Sequence, residues 1–322
     1  MKLTARAAAW FVAAMADTLP PWLPARAAVR PGGLYIVLRA IGPEQLQDAF
    51  MFETLARVQA EEALVPFSAE DGPPAAPAGM IFHVGRSGST VMSQLLKQHG
   101  GVTVYSEPQA FNELIVPPHR GPREQIVGGL RLLASAFAKH AGKPFVIKFS
   151  SWNTFYCDLF AEAFPQTPFV FNTRDPLEVA VSLLKGEPGW FNDTQATSRA
   201  LQRLADPKAA SRSREEFVAR VFASSCDAVA RLDPTHGILV SHEELPAASW
   251  ERAAAHFGLA ADDPALARMQ AQSGAYAKAK LGAESAYEPD SEAKRAAATP
   301  ELRLAIDTIA RPALERLRVR YA

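Results

Sequence analysis

"MIFHVGRSGSTVMSQLL", Met80 to Leu96, runs from a short apolar stretch through a loop rich in Gly and Ser into a helix-like segment. Strand, glycine loop and helix in that order aim backbone N–H groups and the positive end of a helix at one point, which suits a phosphate. Gly85 and Gly88 permit close backbone approach. The amides of Ser87 to Thr90 point at the anion, and Ser89 and Thr90 add hydroxyl donors. Arg86 sets a guanidinium inside the loop. After Gly88 stands Ser89, where loops that hold ATP with magnesium carry lysine. The alternative reading of the stretch by itself is a Gly/Ser turn ahead of an ordinary helix.

From Met80 onward, apolar strands ("MIFHV", "VTVYS", "FVIKFS", "PFVFNT") alternate with helical stretches ("REQIVGGLRLLASAFAKHA", "NTFYCDLFAEAF", "PLEVAVSLLKG"). Such alternation predicts a mostly parallel central sheet covered on both faces, a three-layer α/β/α fold that binds ligands at the C-terminal strand ends. Pro188 to Ser213 lacks a clean period and reads as a lid. A long helix through Leu232, a strand "GILVS", further helices, an irregular stretch and a C-terminal helix from Pro300 to about Val319 follow. Residues 80–322 form the main unit. Residues 1–79 are a preface, with a strand at Leu34 to Ile41, helical periodicity from Pro43 to Leu64, and a linker rich in Pro, Ala and Gly from Ser68 to Gly79.

With 322 residues, 48% of them hydrophobic, the chain can bury a large core. Lys plus Arg total 34 and Asp plus Glu total 34, so no electrostatic footprint for nucleic acid or anionic membrane is present, and any anion site must be local. Cys157 and Cys226 lack metal-ligand spacing and read as buried thiols, with a disulfide as the alternative. No apolar stretch approaches the ~20 residues that span a bilayer. "MKLTARAAAWFVAAMADT" has signal-peptide grammar, yet Trp10, Phe11, Ala14 and Met15 share a helical face. The expectation is a retained, cytoplasmic N-terminus, with cleavage after residue 16 as the alternative.

Four further positions join the loop. In "FVFNTRDPLEVAVSLL", Arg174 ends a strand on the ligand-binding edge and Ser182 lies about two helical turns on, within reach of the same anion. Arg174 could instead pair locally with Asp175 or Glu178. Glu107, in "VYSEPQ", is a carboxylate at a strand end beside the loop, placed to take a proton from an acceptor. Lys148 ends the strand "VIK".

The chain resembles the sulfotransferases that use 3′-phosphoadenosine 5′-phosphosulfate, over about Met80 to Leu259. "GRSGST" is similar to their 5′-phosphosulfate loop, and Arg174 with Ser182 to their 3′-phosphate site. Arg86 and the position of Glu107 look like the tyrosylprotein sulfotransferase branch, in which a glutamate is the catalytic base. The small-molecule branch uses a histidine where this chain has Ser150. Lys148 matches the lysine that contacts the sulfuryl group or bridging oxygen. "GILVSHEELPAASWERAAAHFGL" is similar to a late region of these enzymes, although His242 replaces a tyrosine. Ser273, Lys278 and Lys280 lie where late donors reach the nucleotide, and His83 reads as a strand residue.

The resemblance implies transfer of a sulfuryl group to a hydroxyl, or an amine, of a small-molecule or peptidyl acceptor. Glu107, Arg86 and Lys148 are implied as catalytic residues. Gly85, Arg86, Ser87, Gly88, Ser89, Thr90, Arg174 and Ser182 are implied to bind the co-substrate, with no metal. A P-loop kinase of small molecules and a non-catalytic nucleotide-binding protein are the alternatives. The acceptor and the oligomeric state stay open.

Overall fold

Met80, Phe82, Tyr105, Phe145, Ile147, Phe169 and Phe171 alternate along their strands with Ile81, Val104, Val146, Val170 and Val240, and the two sets fall into separate cores. A pleated strand sends successive side chains to opposite faces, so a sheet buried on both faces lies between these cores. The computed structural model describes residues 21–30, 33–67, 75–116, 121–244, 249–259, 263–272 and 291–322. Its strands in chain order are β1 (Trp22–Arg30), β2 (Gly33–Ala40), β3 (Glu62–Phe67), β4 (Gly79–His83), β5 (Thr103–Ser106), β6 (Phe145–Lys148), β7 (Phe169–Thr173) and β8 (Gly237–Ser241).

Strands β4 to β8 form a parallel sheet in the order β5-β6-β4-β7-β8. Ile81 and Ser106 both pair with Lys148, and His83 pairs with Asn172, so these strands end at nearly one level. The branched face packs on helices Ser89–Lys97, Ser249–His256 and Asp263–Gln272 through Met92, Leu95, Leu96, Ala253, Ala254 and Met269. The aromatic face packs on helices Arg123–Ala141, Cys157–Ala163 and Arg214–Val229 and on the C-terminal helix. The three-layer α/β/α class expected from the sequence is what the chain forms. Cys157 and Cys226 are free, buried thiols, and burial pushes Cys157 up to about 12. Among the described residues no helix is long and apolar enough to cross a membrane.

The N-terminal segment departs from its sequence reading. Only Met51–Arg57 is α-helical within the stretch expected as one helix from Pro43 to Leu64; Pro43–Gln45 is a 3₁₀ turn and Glu62–Phe67 is strand β3. Pairing with β2 (Ile36 opposite Val65) overrides the helix preference of Glu and Ala there, as tertiary context does for weak local propensities. Strand β1, absent from the sequence reading, completes an antiparallel sheet in the order β1-β2-β3. Polar contacts fasten this sheet to the main unit. Ala27 N donates to Glu113 Oε2 (2.8 Å), and His140 Nε2 lies 2.7 Å from the Ile41 carbonyl. The N-terminal stretch with signal-peptide grammar and its cleavage point lie outside the described residues, as do Ser273, Lys278 and Lys280.

Two later segments also differ. Within 188–213, read as a lid, Ala196–Ala205 is a helix with Leu201 and Ala205 buried, and the Gln202 amide donates to the carbonyls of Trp190, Phe191 and Asp193. The C-terminal helix passes through a π turn at Ile306–Ala310 between Pro300–Ala305 and Arg311–Arg320. Pro312 has no N–H to continue the regular ladder, and the wider turn accommodates it.

Candidate active site

Each strand of the parallel sheet delivers a polar side chain at its C-terminal end: His83 from β4, Glu107 after β5, Lys148 from β6, Arg174 after β7 and His242 after β8. All five line one cavity of ≈ 380 Å³, with the whole loop from Gly85 to Thr90 and Ser182. The ten residues singled out in the sequence therefore meet in one place. The C-terminal edge of an open parallel sheet is where such folds bind ligands.

The loop follows β4 and turns through left-handed backbone at Arg86 (φ 64°) and Gly88 (φ 87°), the latter capping the Ser89–Lys97 helix. Glycine adopts this conformation freely, whereas at Arg86 it costs about 1–2 kcal/mol. Among the described residues only Arg86, Glu107 and Ala209 are non-glycine with positive φ, and two of these lie in the cleft. Strained backbone gathers at functional sites. Ser87 is buried, and its Oγ has no hydrogen-bond partner among the described residues. An anion seated on the loop would satisfy it, which fits the loop to a phosphate or sulfate group. The Arg86 guanidinium reaches across to donate to the Gly186 carbonyl (2.9 Å), at the end of helix Pro176–Lys185.

Glu107 (φ 56°) is held from three sides. Its N–H donates to the Lys148 carbonyl (2.6 Å), Lys148 Nζ donates to Oε1, and Ser150 Oγ donates to Oε2 (3.2 Å). Asn112 Nδ2 in turn donates to Ser150 Oγ (3.2 Å). The Lys148 side chain is only 1% exposed, so this is a buried ion pair opening on one side into the cavity. Burial pushes the Glu107 carboxyl up, but the Lys148 charge and the hydrogen bonds from Lys148 and Ser150 hold it below its ordinary value. His83 lies beneath, with ring nitrogens 2.9 Å from the carbonyls of Val84 and Phe149. Burial, with Lys148 beside it, pushes its imidazole down to about 4, so it is neutral and donates to one carbonyl only. It stands as a strand residue against the carbonyls of Val84 and Phe149.

On the β7 side Arg174 makes the local pair that the sequence allowed. Its Nε donates to Glu178 Oε2 (2.8 Å) one helical turn on, while Asp175 caps the helix by accepting from the amides of Leu177 and Glu178. Glu178 also accepts from Ser291 Oγ (2.9 Å) and pairs with Arg295 (2.9 Å). Two guanidinium groups on one carboxylate leave a positive surplus. Burial favours the protonated acid at Glu178, yet bonds from Arg174 and Ser291 and the charges of Arg174 and Arg295 keep it below the usual carboxylate range. Among the described residues four cationic side chains (Arg86, Lys148, Arg174, Lys294) and two carboxylates (Glu107, Glu187) line the cavity, a surplus of two positive charges in a chain of zero formal charge. A polyanion suits that surplus.

Sequence reasoning missed Phe50, His242, Lys294 and the Gly186–Pro188 turn as lining residues. The i, i+4 spacing of Arg174 and Glu178 was a readable signal of their pairing. Phe50 carried none, since it sits inside a stretch that reads as helix. Lys294, from helix Ser291–Ala296, is the late cation the cleft has among the described residues.

No protein-family model matches the chain, and no curated protein matches it. Among solved structures it is similar to a sulfotransferase domain of the Synechococcus olefin synthase, at 15% identity and a TM-score of 0.48, covering 77% of this chain and 98% of that one. It is also similar to a sulfotransferase from Alicyclobacillus acidocaldarius (16%, 0.45, covering 77% and 96%). A mouse sulfotransferase complexed with PAP matches at 12% and 0.40, covering 76% and 87%. Likenesses at this level carry no inference about chemistry.

Proposed function

We propose that the chain transfers a sulfuryl group from 3′-phosphoadenosine 5′-phosphosulfate to a hydroxyl acceptor, releasing adenosine 3′,5′-bisphosphate, as the tyrosylprotein-like pattern of the sequence implies. The observation that carries this is the buried Glu107–Lys148 pair opening into the same cavity as a phosphate loop that has Ser89 in place of the ATP-binding lysine. In this reading the loop from Gly85 to Thr90 holds the phosphosulfate on amides and hydroxyls. Arg174 and Ser182 take the 3′-phosphate. The acceptor oxygen attacks sulfur in line as the bond from sulfur to the bridging oxygen breaks and its electron pair stays on the 5′-phosphate. Lys148 and Arg86 offset the charge developing there. Glu107, ionised and accepting from Ser150, takes the acceptor's proton. A sulfuryl group carries less negative charge than a phosphoryl group, and these cations serve without a metal.

Calorimetry in EDTA tests the donor site. Adenosine 3′,5′-bisphosphate is expected to bind more tightly than adenosine 5′-phosphate. Arg174→Ala should remove roughly 1.5–3 kcal/mol from the first and little from the second. Equal losses for both ligands would place the 3′-phosphate elsewhere.

A further inference from the structure

Helix Ala196–Ala205, the turn after it and the start of helix Arg214–Val229 enclose a second cavity, a groove of ≈ 690 Å³ whose described lining residues are all different from those of the cleft. Among the described residues four arginines (Arg199, Arg203, Arg212 and Arg214) and one carboxylate (Asp206) line it, a surplus of three positive charges. Asp206 is already engaged. Its carboxylate accepts from the amides of Ala210 (3.0 Å) and Ser211 (2.9 Å) and lies 3.8 Å from the Arg220 guanidinium. Arg199, Arg203 and Arg212 are exposed. Among the described residues Arg214 is the one arginine of the four in an ion pair, and its partner belongs to the cleft. Arg214 Nε donates to Glu187 Oε1 (3.0 Å), with the guanidinium 5.6 Å from the centre of the Phe191 ring and 5.7 Å from that of Phe217. Glu187 lines the cleft next to Gly186, whose carbonyl accepts from Arg86 of the loop. Hydrogen bonds from Arg214 and Asn192 hold the Glu187 carboxyl below its ordinary value, so it is ionised at neutral pH. One guanidinium thus stands between groove and cleft.

We propose that the groove is a second anion site, for a small molecule carrying a phosphate or sulfate group, and that its occupant competes with Glu187 for Arg214. Guanidinium forks match the oxygens of such groups, and a tetrahedral group presents oxygens to several forks at once, where a carboxylate presents two in one plane. The volume is that of a small-molecule site. The competition has a sign. Once Arg214 turns to the groove, Glu187 stands as an uncompensated negative charge at the edge of the cleft and lowers the cationic surplus there. An anion in the groove therefore weakens an anion in the cleft, and by linkage the reverse holds. The inference goes beyond sulfuryl transfer and does not rest on it, because it invokes only the charges that line the two cavities.

Inorganic pyrophosphate is the probe, titrated by calorimetry into the full chain at fixed ionic strength. The wild type should bind two, one in the cleft and one in the groove. Arg174→Ala should weaken the first. Arg199→Ala combined with Arg203→Ala, at exposed positions of one helix, should raise the Kd of the second roughly tenfold or more, and Arg212→Ala, on the facing turn, should raise it about threefold or more. Glu187→Gln leaves Arg214 without its charged partner and should tighten the groove site about two- to fivefold. A pyrophosphate isotherm unchanged by either set of arginine substitutions, or a groove affinity that Glu187→Gln leaves unmoved or lowers, overturns the inference.

Discussion

At Glu107, burial favours the protonated acid and the Lys148 ammonium favours the anion; the cation prevails, helped by hydrogen bonds from Lys148 and Ser150. A carboxylate whose pKa is depressed on folding contributes stability above its unfolded pKa and loses it as pH falls through the folded value. The same sign governs a base that must be ionised, so activity should persist down through the ordinary carboxylate range and fail only below it. Lys148→Met removes the cation and leaves the burial. Glu107 should then titrate higher, and the acid limb of the kcat/KM profile should move to higher pH; a limb that stays put would assign the titration to another group. Glu107→Gln should cut turnover by about 10²- to 10⁴-fold while nucleotide affinity stays near wild type. Near-normal turnover in that variant would reject Glu107 as the base. Glu107, Lys148, Arg174 and Ser182 were legible because each stands at a strand end or within two helical turns of one. That Arg174 shares Glu178 with Arg295 was not, because Arg295 comes from a helix far along the chain.

At the level of elements, two glycines separate what the loop needs for folding from what it needs for binding. Gly88 (φ 87°) caps the Ser89–Lys97 helix inside the cleft, and Gly142 (φ 62°) ends the Arg123–Ala141 helix away from it, with open space where a Cβ would stand. Each substitution to alanine forces a left-handed residue and should destabilise the fold by roughly 1–2 kcal/mol. Only Gly88→Ala should also weaken adenosine 3′,5′-bisphosphate, as thermal melts with and without the nucleotide would reveal. Equal ligand-induced shifts in both variants would contradict anion binding on this loop. The strands of the parallel sheet were readable because each is a short apolar run, buried throughout in β4 to β7 and partly buried in the edge strand β8. Strand β1 was not, since "WLPARAAVR" is punctuated by Pro24, Arg26 and Arg30, and β3 was not, since Glu62 and Ala63 favour helix until β2 pairs with them. Phe50 was hidden by the same error, because only the end of the helix after Arg57 and the start of β3 reveal that it caps a short helix beside the cleft.

Across the whole molecule, a chain of zero formal charge gathers a cationic surplus at one sheet edge and closes it from outside with a segment that sequence patterns alone left as a preface. The side of the cleft built by the Gly85–Thr90 loop and by Arg174 and Ser182 was visible in the sequence because it is local, within one loop and one strand–helix junction. The side around Glu107 was not, because Phe50, Glu107, Lys148 and Ser150 come together only through the sheet order β5-β6-β4 and the docking of the N-terminal strands. In the proposed transfer reaction both sides must act together. Sulfur-labelled 3′-phosphoadenosine 5′-phosphosulfate, incubated in EDTA with the wild-type chain and a set of hydroxyl acceptors, reads that joint action directly. Label should pass to the acceptor with one adenosine 3′,5′-bisphosphate released per sulfuryl group, and the transfer should be lost in Glu107→Gln. Label that stays on the donor with every acceptor, while the chain moves phosphate from ATP in a strictly magnesium-dependent reaction, would contradict sulfuryl transfer and make the protein a kinase.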